Sequence, residues 1–337
     1  MNPLARAAVV GAGSWGTALA NLLAANGHEA RLWAHDPGLG DEMARERQNR
    51  RYLPGFRLHN RVHATSDLEA AVAGAHIVVS ASPSHVVREV MELAAPHVSS
   101  GAVVVSASKG IEQGSLKRMT EVLADVLTDP QRIVVLSGPS FAVEVSRGVP
   151  TAVTMAAEDP EAAGAALAAF ANSRFRVYTS RDVVGVELGG AVKNVVAIAT
   201  GIADGLEYGH NARAALITRG LAEIARLGTA LGGERLTFMG LAGLGDLVLT
   251  CTGDLSRNRT LGLRLGRGER LEEILADMQM VAEGVLTARS VHDLSLRAGV
   301  EMPIAEQVHE MLVHAKSPRV VVEELMMREH KPEFERR

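Results

Sequence analysis

Lys193 is the one long side chain on a face of small or polar residues, Gly189, Ala197, Thr200 and Asp204, within an otherwise apolar stretch. The opposite face of 183–205 carries Leu188, Val192, Val195, Ala199 and Ile202 at the three- and four-residue spacing of a buried helix. Apolar surroundings disfavour an ammonium and draw its pKa toward the range where it exchanges a proton near neutral pH. The plainer alternative is a lysine that snorkels to water or pairs with Asp204. Asp246 follows the glycine-rich bend GLAGLG and is placed to orient a lysine or a hydroxyl. Ser256, Arg257 and Asn258 form a compact donor set that suits a phosphate, or a solvated basic turn. Lys109, just past a buried strand, is a candidate ligand for an anion or a substrate oxygen, its alternative being a solvated loop lysine. Ser140, after Gly138 and Pro139, is a helix cap whose helix offers N–H groups to a ligand. Cys251 has no histidine near it in the pattern and reads as packing, His210 lies in a loop, and metal ligands are nowhere convincingly spaced.

A second constellation is the run GAGSWG at 11–16, between a strand pattern at 7–10 and a helix pattern at 17–25, with another strand at 30–33. In that context the glycines have separate tasks. Gly11 permits a tight turn, Gly13 lets a pyrophosphate touch the backbone, and Gly16 lets the helix pack on the strand. The helix then turns its first N–H groups toward the phosphates. At the tip of the second strand, Ala34 replaces the acid that would bond a ribose 2′-hydroxyl. His35 beside it, with Arg45 and Arg47 on the next predicted helix, leans the reading toward NADPH over NADH, while Asp36 swinging in is the contrary option.

These residues need elements to position them. Strands are expected at 77–80, 103–106, 133–137, 151–156 and 174–178, separated by helices such as 86–95, 116–127 and 160–171. That alternation predicts an α/β fold with a doubly wound, Rossmann-type, mostly parallel sheet. Beyond Asp182 only helices are expected, at 183–205, 212–231, 271–276, 287–298, 304–314 and 320–328. The division is therefore an NAD(P)-binding domain over 1–182, an all-helical substrate domain over 183–330 and a charged tail over 331–337. A cleft between two such domains sets Lys193 beside the nicotinamide end of the cofactor. With 47% hydrophobic and 22% charged residues the balance is that of a soluble globular protein. A net charge of −4 without a basic run argues against nucleic acid as a partner. One cysteine precludes an internal disulfide and suits a reducing cytoplasm. No run of about 20 uninterrupted apolar residues predicts a membrane span.

The blocks GAGSWG (11–16), KGIE (109–112), GPSFAVE (138–144), ELGGAVKN (187–194), NARAALITRG (211–220), GLAGLGDL (240–247), SRN (256–258) and VAEG (281–284) follow one another in order. So arranged, the chain resembles the bacterial-type NAD(P)-dependent glycerol-3-phosphate dehydrogenases, nearly end to end. The resemblance implies reversible NAD(P)H-dependent reduction of dihydroxyacetone phosphate to sn-glycerol 3-phosphate, supplying phospholipid synthesis in a cytoplasmic homodimer. It implies that Ser14, Trp15, His35, Lys109, Ala142, Arg257, Val281 and Glu283 line the cofactor. Lys109, Gly138, Ser140, Lys193 and Asp246 would then surround the triose phosphate, with Ser256, Arg257 and Asn258 on its phosphate. Lys193 would be the proton acceptor, kept aimed by Asp246 and Asn194. The pair Ala34 and His35 stands at a variable place in the family and leaves NAD against NADP open. A related hydroxyacid dehydrogenase and a catalytically silent NAD(P)-binding sensor are the alternatives.

Overall fold

Eight short strands, most of them rich in valine and isoleucine, form one sheet: β1 (Arg6–Val10), β2 (Glu29–Trp33), β3 (Val62–Thr65), β4 (Ile77–Ser80), β5 (Val103–Ser106), β6 (Ile133–Ser137), β7 (Thr151–Ala156) and β8 (Phe175–Ser180). Their spatial order is β3-β2-β1-β4-β5-β6-β7-β8. The first six strands are parallel and follow the doubly wound order that places a crevice between β1 and β4. This computed structural model describes residues 5–128, 130–278, 282–330 and 332–333. Most of the expected charged tail at 331–337 lies outside them.

Alternation along β1 shows how the sheet acquires two apolar faces. Ala7 and Val9 join the core that holds Leu19, Leu23 and Phe170, while Ala8 and Val10 join the one that holds Val87, Met91 and Leu123. Both faces are covered by helices, so the strands are apolar on both sides. Two features differ from the sequence reading. β3, with His63 and Thr65 in its four residues, is too short and polar to stand out as a strand. β7 runs antiparallel to β6, a direction that an apolar pattern does not encode.

Past β8 the chain is helical. The helix Val183–Gly205 has the expected bounds and is the centre of this part, buried along nearly its whole length. Asp182 starts it, its carboxylate accepting from the N–H of Gly185 at 2.8 Å and of Glu234 at 2.8 Å. Leu188, Val192, Val195 and Ile202 enter a core with Leu227, Phe238, Leu261 and Val291 from the surrounding helices. Among the described residues this is the single helix long and apolar enough to cross a membrane, but 89% of its most apolar window is buried inside the fold. Glu187 on the same helix reaches back to the sheet half, accepting from Arg118 at 2.6 Å and from the N–H of Thr120 at 2.8 Å.

Small residues let the helix Arg257–Gly266 lie directly on the central helix. A Cβ added at Gly262 would run into the Ile198 carbonyl, and one at Gly201 into the Arg259 carbonyl. The sequence shows a glycine-rich bend before Asp246 and, at 256–258, a donor set or a solvated turn, and predicts no helix at either. Instead a π-helical turn at Leu241–Gly245 leads into the helix Asp246–Thr252, and Arg257 opens a helix of its own. Glycines and polar residues weaken the apolar periodicity of both segments, so the pattern understates them.

Candidate active site

A cavity of about 790 Å³ lies between the C-terminal ends of the strands and the helical half. The turn after β1 and the turn after β4 both line it, as the strand order requires. Gly11 adopts φ +121°, and a side chain there would press on the Ala81–Ser82 peptide at 2.8 Å. A Cβ on Gly16 would collide with the carbonyl of Gly11, so strand and helix pack through bare backbone. Gly13 is different: a Cβ there would meet nothing within 4 Å, so its backbone is open to the cavity. The twelve-residue helix Ser14–Ala25 has no side chain capping its first N–H groups, and Trp15 Nε1 is buried without a partner. Open backbone and uncapped N–H groups fit a dinucleotide pyrophosphate.

His35 and Asp36 line the far end of this cavity, and Asp36 is already engaged. Its carboxylate accepts from the N–H of Gly38 at 2.9 Å and pairs with Arg51 at 3.2 Å. Neither arginine expected here lines the cavity. Arg45 pairs with Glu46, and Arg47 gives its guanidinium to the carbonyls of Val62 and His59. The cation that does line this end is Arg51, which the sequence reading passed over because it lies in no motif.

At the other end Lys193 lines the cavity from the central helix. Its Nζ donates to Asp246 Oδ1 and, at 2.8 Å, to Thr250 Oγ1. The second oxygen of Asp246 accepts from Lys109, which also donates to the carbonyl of Gly138 at 3.3 Å. One carboxylate, 1% exposed, thus lies between two ammonium groups. Burial pushes the pKa of Lys193 down to about 8, with the Lys109 charge acting in the same sense and Asp246 opposing. The alternative partner, Asp204, is spent on Arg213 and Arg259. Asn194 lines the cavity, but the bonds that hold Lys193 come from Asp246 and Thr250 instead.

Local geometry explains the arrangement. A Cβ at Gly189 would stand 2.6 Å from the carbonyl oxygen of Ala242, so the 241–245 turn rests on the backbone of the central helix. The helix it starts places Asp246 and Thr250, four residues apart, on one face toward Lys193. Thr250 was missed by the sequence reading; its four-residue offset from Asp246 was the available signal. Gly138 and Asp246 do not line the cavity; they stand behind the lysines and hold them. Ser140 does line it, but as no cap: its hydroxyl donates to the Gly138 carbonyl at 3.0 Å, and the next helix starts at Ala142 without a side-chain cap.

Ser256, Arg257 and Asn258 meet at the start of the helix Arg257–Gly266 and all line the cavity. Ser256 caps it by accepting from the N–H of Arg259 at 3.2 Å. Asn258 Oδ1 accepts from the N–H of Gly284 at 3.0 Å, tying in the helix Glu283–Ala298. Ala142 and Glu283 complete this wall, and burial raises the pKa of Glu283 while the Arg257 charge opposes it. Val281 lies outside the described residues. Cys251 is buried in the helical core, its thiol pushed up to about 12 by burial, and His210 is exposed in the first turn of the helix Gly209–Ala230.

The geometry combines a dinucleotide turn, an anion-suited helix start and a buried amine of lowered pKa in one cavity. Comparison with known proteins points to one family. Residues 6–163 match the family model described as NAD-dependent glycerol-3-phosphate dehydrogenase N-terminus, and 182–323 match its C-terminus. A glycerol-3-phosphate dehydrogenase [NAD(P)+] of Syntrophotalea carbinolica is 54% identical over 97% of this chain and 99% of its own. The protein of that name from Geobacter metallireducens is 55% identical over 96% and 98%. The crystal structure of glycerol-3-phosphate dehydrogenase from Coxiella burnetii superposes with a TM-score of 0.93, at 42% identity, covering 96% of this chain and 99% of that one.

Proposed function

This chain belongs to the NAD-dependent glycerol-3-phosphate dehydrogenase family, and from that premise we propose a division of labour among its residues. The reaction is the reversible reduction of dihydroxyacetone phosphate to sn-glycerol 3-phosphate with NAD(P)H, feeding phospholipid synthesis. When bound, the nicotinamide supplies the hydride that reaches the ketone carbon. Lys193 as an ammonium stabilises the charge growing on the carbonyl oxygen and then gives that oxygen its proton. In the reverse direction neutral Lys193 takes the alcohol proton. Asp246 and Thr250 are positioning residues that keep Nζ aimed, and Lys109 adds a second positive charge at the same carboxylate. Arg257, the N–H groups at its helix start, Ser256 and Asn258 hold the substrate phosphate, which fixes the carbonyl for transfer.

Ser14, Trp15, His35, Ala142 and Glu283 border the cofactor, together with the glycine turn. Val281 completes this set in our reading. Arg51 beside His35 supports a preference for NADPH, since a guanidinium there suits a 2′-phosphate. The enzyme works as a cytoplasmic homodimer, a state that light scattering on the purified chain tests directly.

The buried, cavity-facing amine of Lys193 carries the whole reading. Lys193→Ala is expected to lower kcat for dihydroxyacetone phosphate reduction by about 10²–10⁴-fold, with NADPH binding by fluorescence retained. Turnover near that of the unsubstituted chain would remove Lys193 from the mechanism.

A further inference from the structure

We propose that the C-terminal two turns of the helix Pro303–His314 form a binding site for a divalent transition metal of the zinc class, ligated by His309, Glu310 and His314. The candidate ligand atoms of the three residues all lie within 4.8 Å of one another. His309 Nδ1 is 3.8 Å and His314 Nε2 3.9 Å from the same oxygen of Glu310. These separations are too long for hydrogen bonds. They are close to what a cation needs, because ligands roughly 2.0–2.2 Å from a zinc ion stand about 3.3–3.5 Å apart in a tetrahedron. A contraction of about half an ångström brings each histidine nitrogen to that spacing from the carboxylate oxygen.

Two further observations point to a ligand. His309 is only 7% exposed, yet its Nδ1 has no hydrogen-bond partner. A buried nitrogen in that state bears its desolvation cost without an offset, and a metal bond is one way to supply it. The ring plane is also fixed in advance. His292, on the helix Glu283–Ala298, stacks on His309 with centroids 4.0 Å apart and planes 3° from parallel. Stacking occupies the ring face and leaves the in-plane nitrogen pointing at Glu310.

The surroundings favour a cation from solvent. His314 stands in the C-terminal turn of the helix, where carbonyl groups concentrate partial negative charge, and His309 and Glu310 stand in the turn before it. Glu310 and His314 are four residues apart and have side chains 33% and 60% exposed, so an ion reaches them without opening the core. Three protein ligands leave a position for water, and none of the three lines the cavity holding Lys193.

Chelator-stripped, untagged full-length chain titrated with ZnCl₂ in a calorimeter tests the proposal, with CoCl₂ absorption as a spectroscopic reporter. One zinc per chain is expected, with Glu310→Gln and His314→Ala each weakening it by at least about tenfold. Zinc should raise the melting temperature of the unsubstituted chain and leave that of the double variant unmoved. The variants fold, because neither side chain is buried, and their dehydrogenase activity without added metal should match the parent. Zinc binding in the double variant as tight as in the parent would overturn the site. So would the absence of binding to the parent at micromolar zinc.

Discussion

Lys193 and Asp246 are meaningful only as a pair, since the ammonium is buried and the carboxylate keeps it charged at neutral pH. With a pKa of about 8, Lys193 is mostly protonated at pH 7 and ready to donate. Reduction of the ketone should therefore weaken as pH rises through about 8, while oxidation of the alcohol strengthens over the same interval. Asp246→Asn removes the charge that opposes desolvation. Its limb in a kcat/KM profile should move below pH 8, with kcat for reduction at pH 7 down by about 10–100-fold. An unmoved limb would mean that another group titrates. Lys193 was legible in the sequence because it is one long polar side chain in an apolar repeat. The bridge from Asp246 to Lys109 was not, as 137 residues separate the two and no local pattern spans that distance. Arg51 escaped notice for a related reason: the fold brings it to the cavity from a segment without a motif.

At the scale of elements the active site depends on how closely one helix lies on another. The helix Arg257–Gly266 meets the central helix through Gly201 and Gly262, and its first residue faces the cavity. Gly262→Val should push it outward, costing about 1–3 kcal/mol of stability. The KM for dihydroxyacetone phosphate should rise more than the KM for NADPH, because Arg257 moves while the glycine turn after β1 does not. Urea unfolding and steady-state kinetics measure the two effects; equal KM changes would show that the crossing does not position the phosphate end. The central helix was readable to its end residues because its apolar stripe, Leu188 to Ile202, runs for about four turns and Asp182 caps it. The helix at 257–266 was obscured by the small residues that make close packing possible, and the one at 246–252 by its seven-residue length and its polar positions. The antiparallel β7 was hidden because strand direction is a property of the connection, not of the strand's own residues.

For the molecule as a whole, a buried acid links stability to pH. Glu223 accepts from the N–H groups of Ile304 at 2.8 Å and Ala305 at 3.2 Å, and burial still raises its pKa to about 7. The folded chain then holds this proton more tightly than the unfolded one. Its contribution is full below pH 4.5, falls as pH climbs toward about 7, and is flat above. Denaturant unfolding should show Glu223→Gln gaining on the parent between pH 4.5 and 7, by at most about 3 kcal/mol, with a constant difference at higher pH. A difference independent of pH would place the titration elsewhere. The plan of a doubly wound sheet followed by a helical half was legible from strand and helix alternation alone, whereas Glu223, a lone acid on an ordinary helix, carried no such mark. The central helix has one more consequence. In many enzymes the working groups ride on loops that soften well before the scaffold does, so heat silences them while they remain folded. Here the amine is mounted on the innermost beam of the helical half. Warming should leave no interval in which the chain is folded but inert: loss of turnover and loss of helicity should trace one curve.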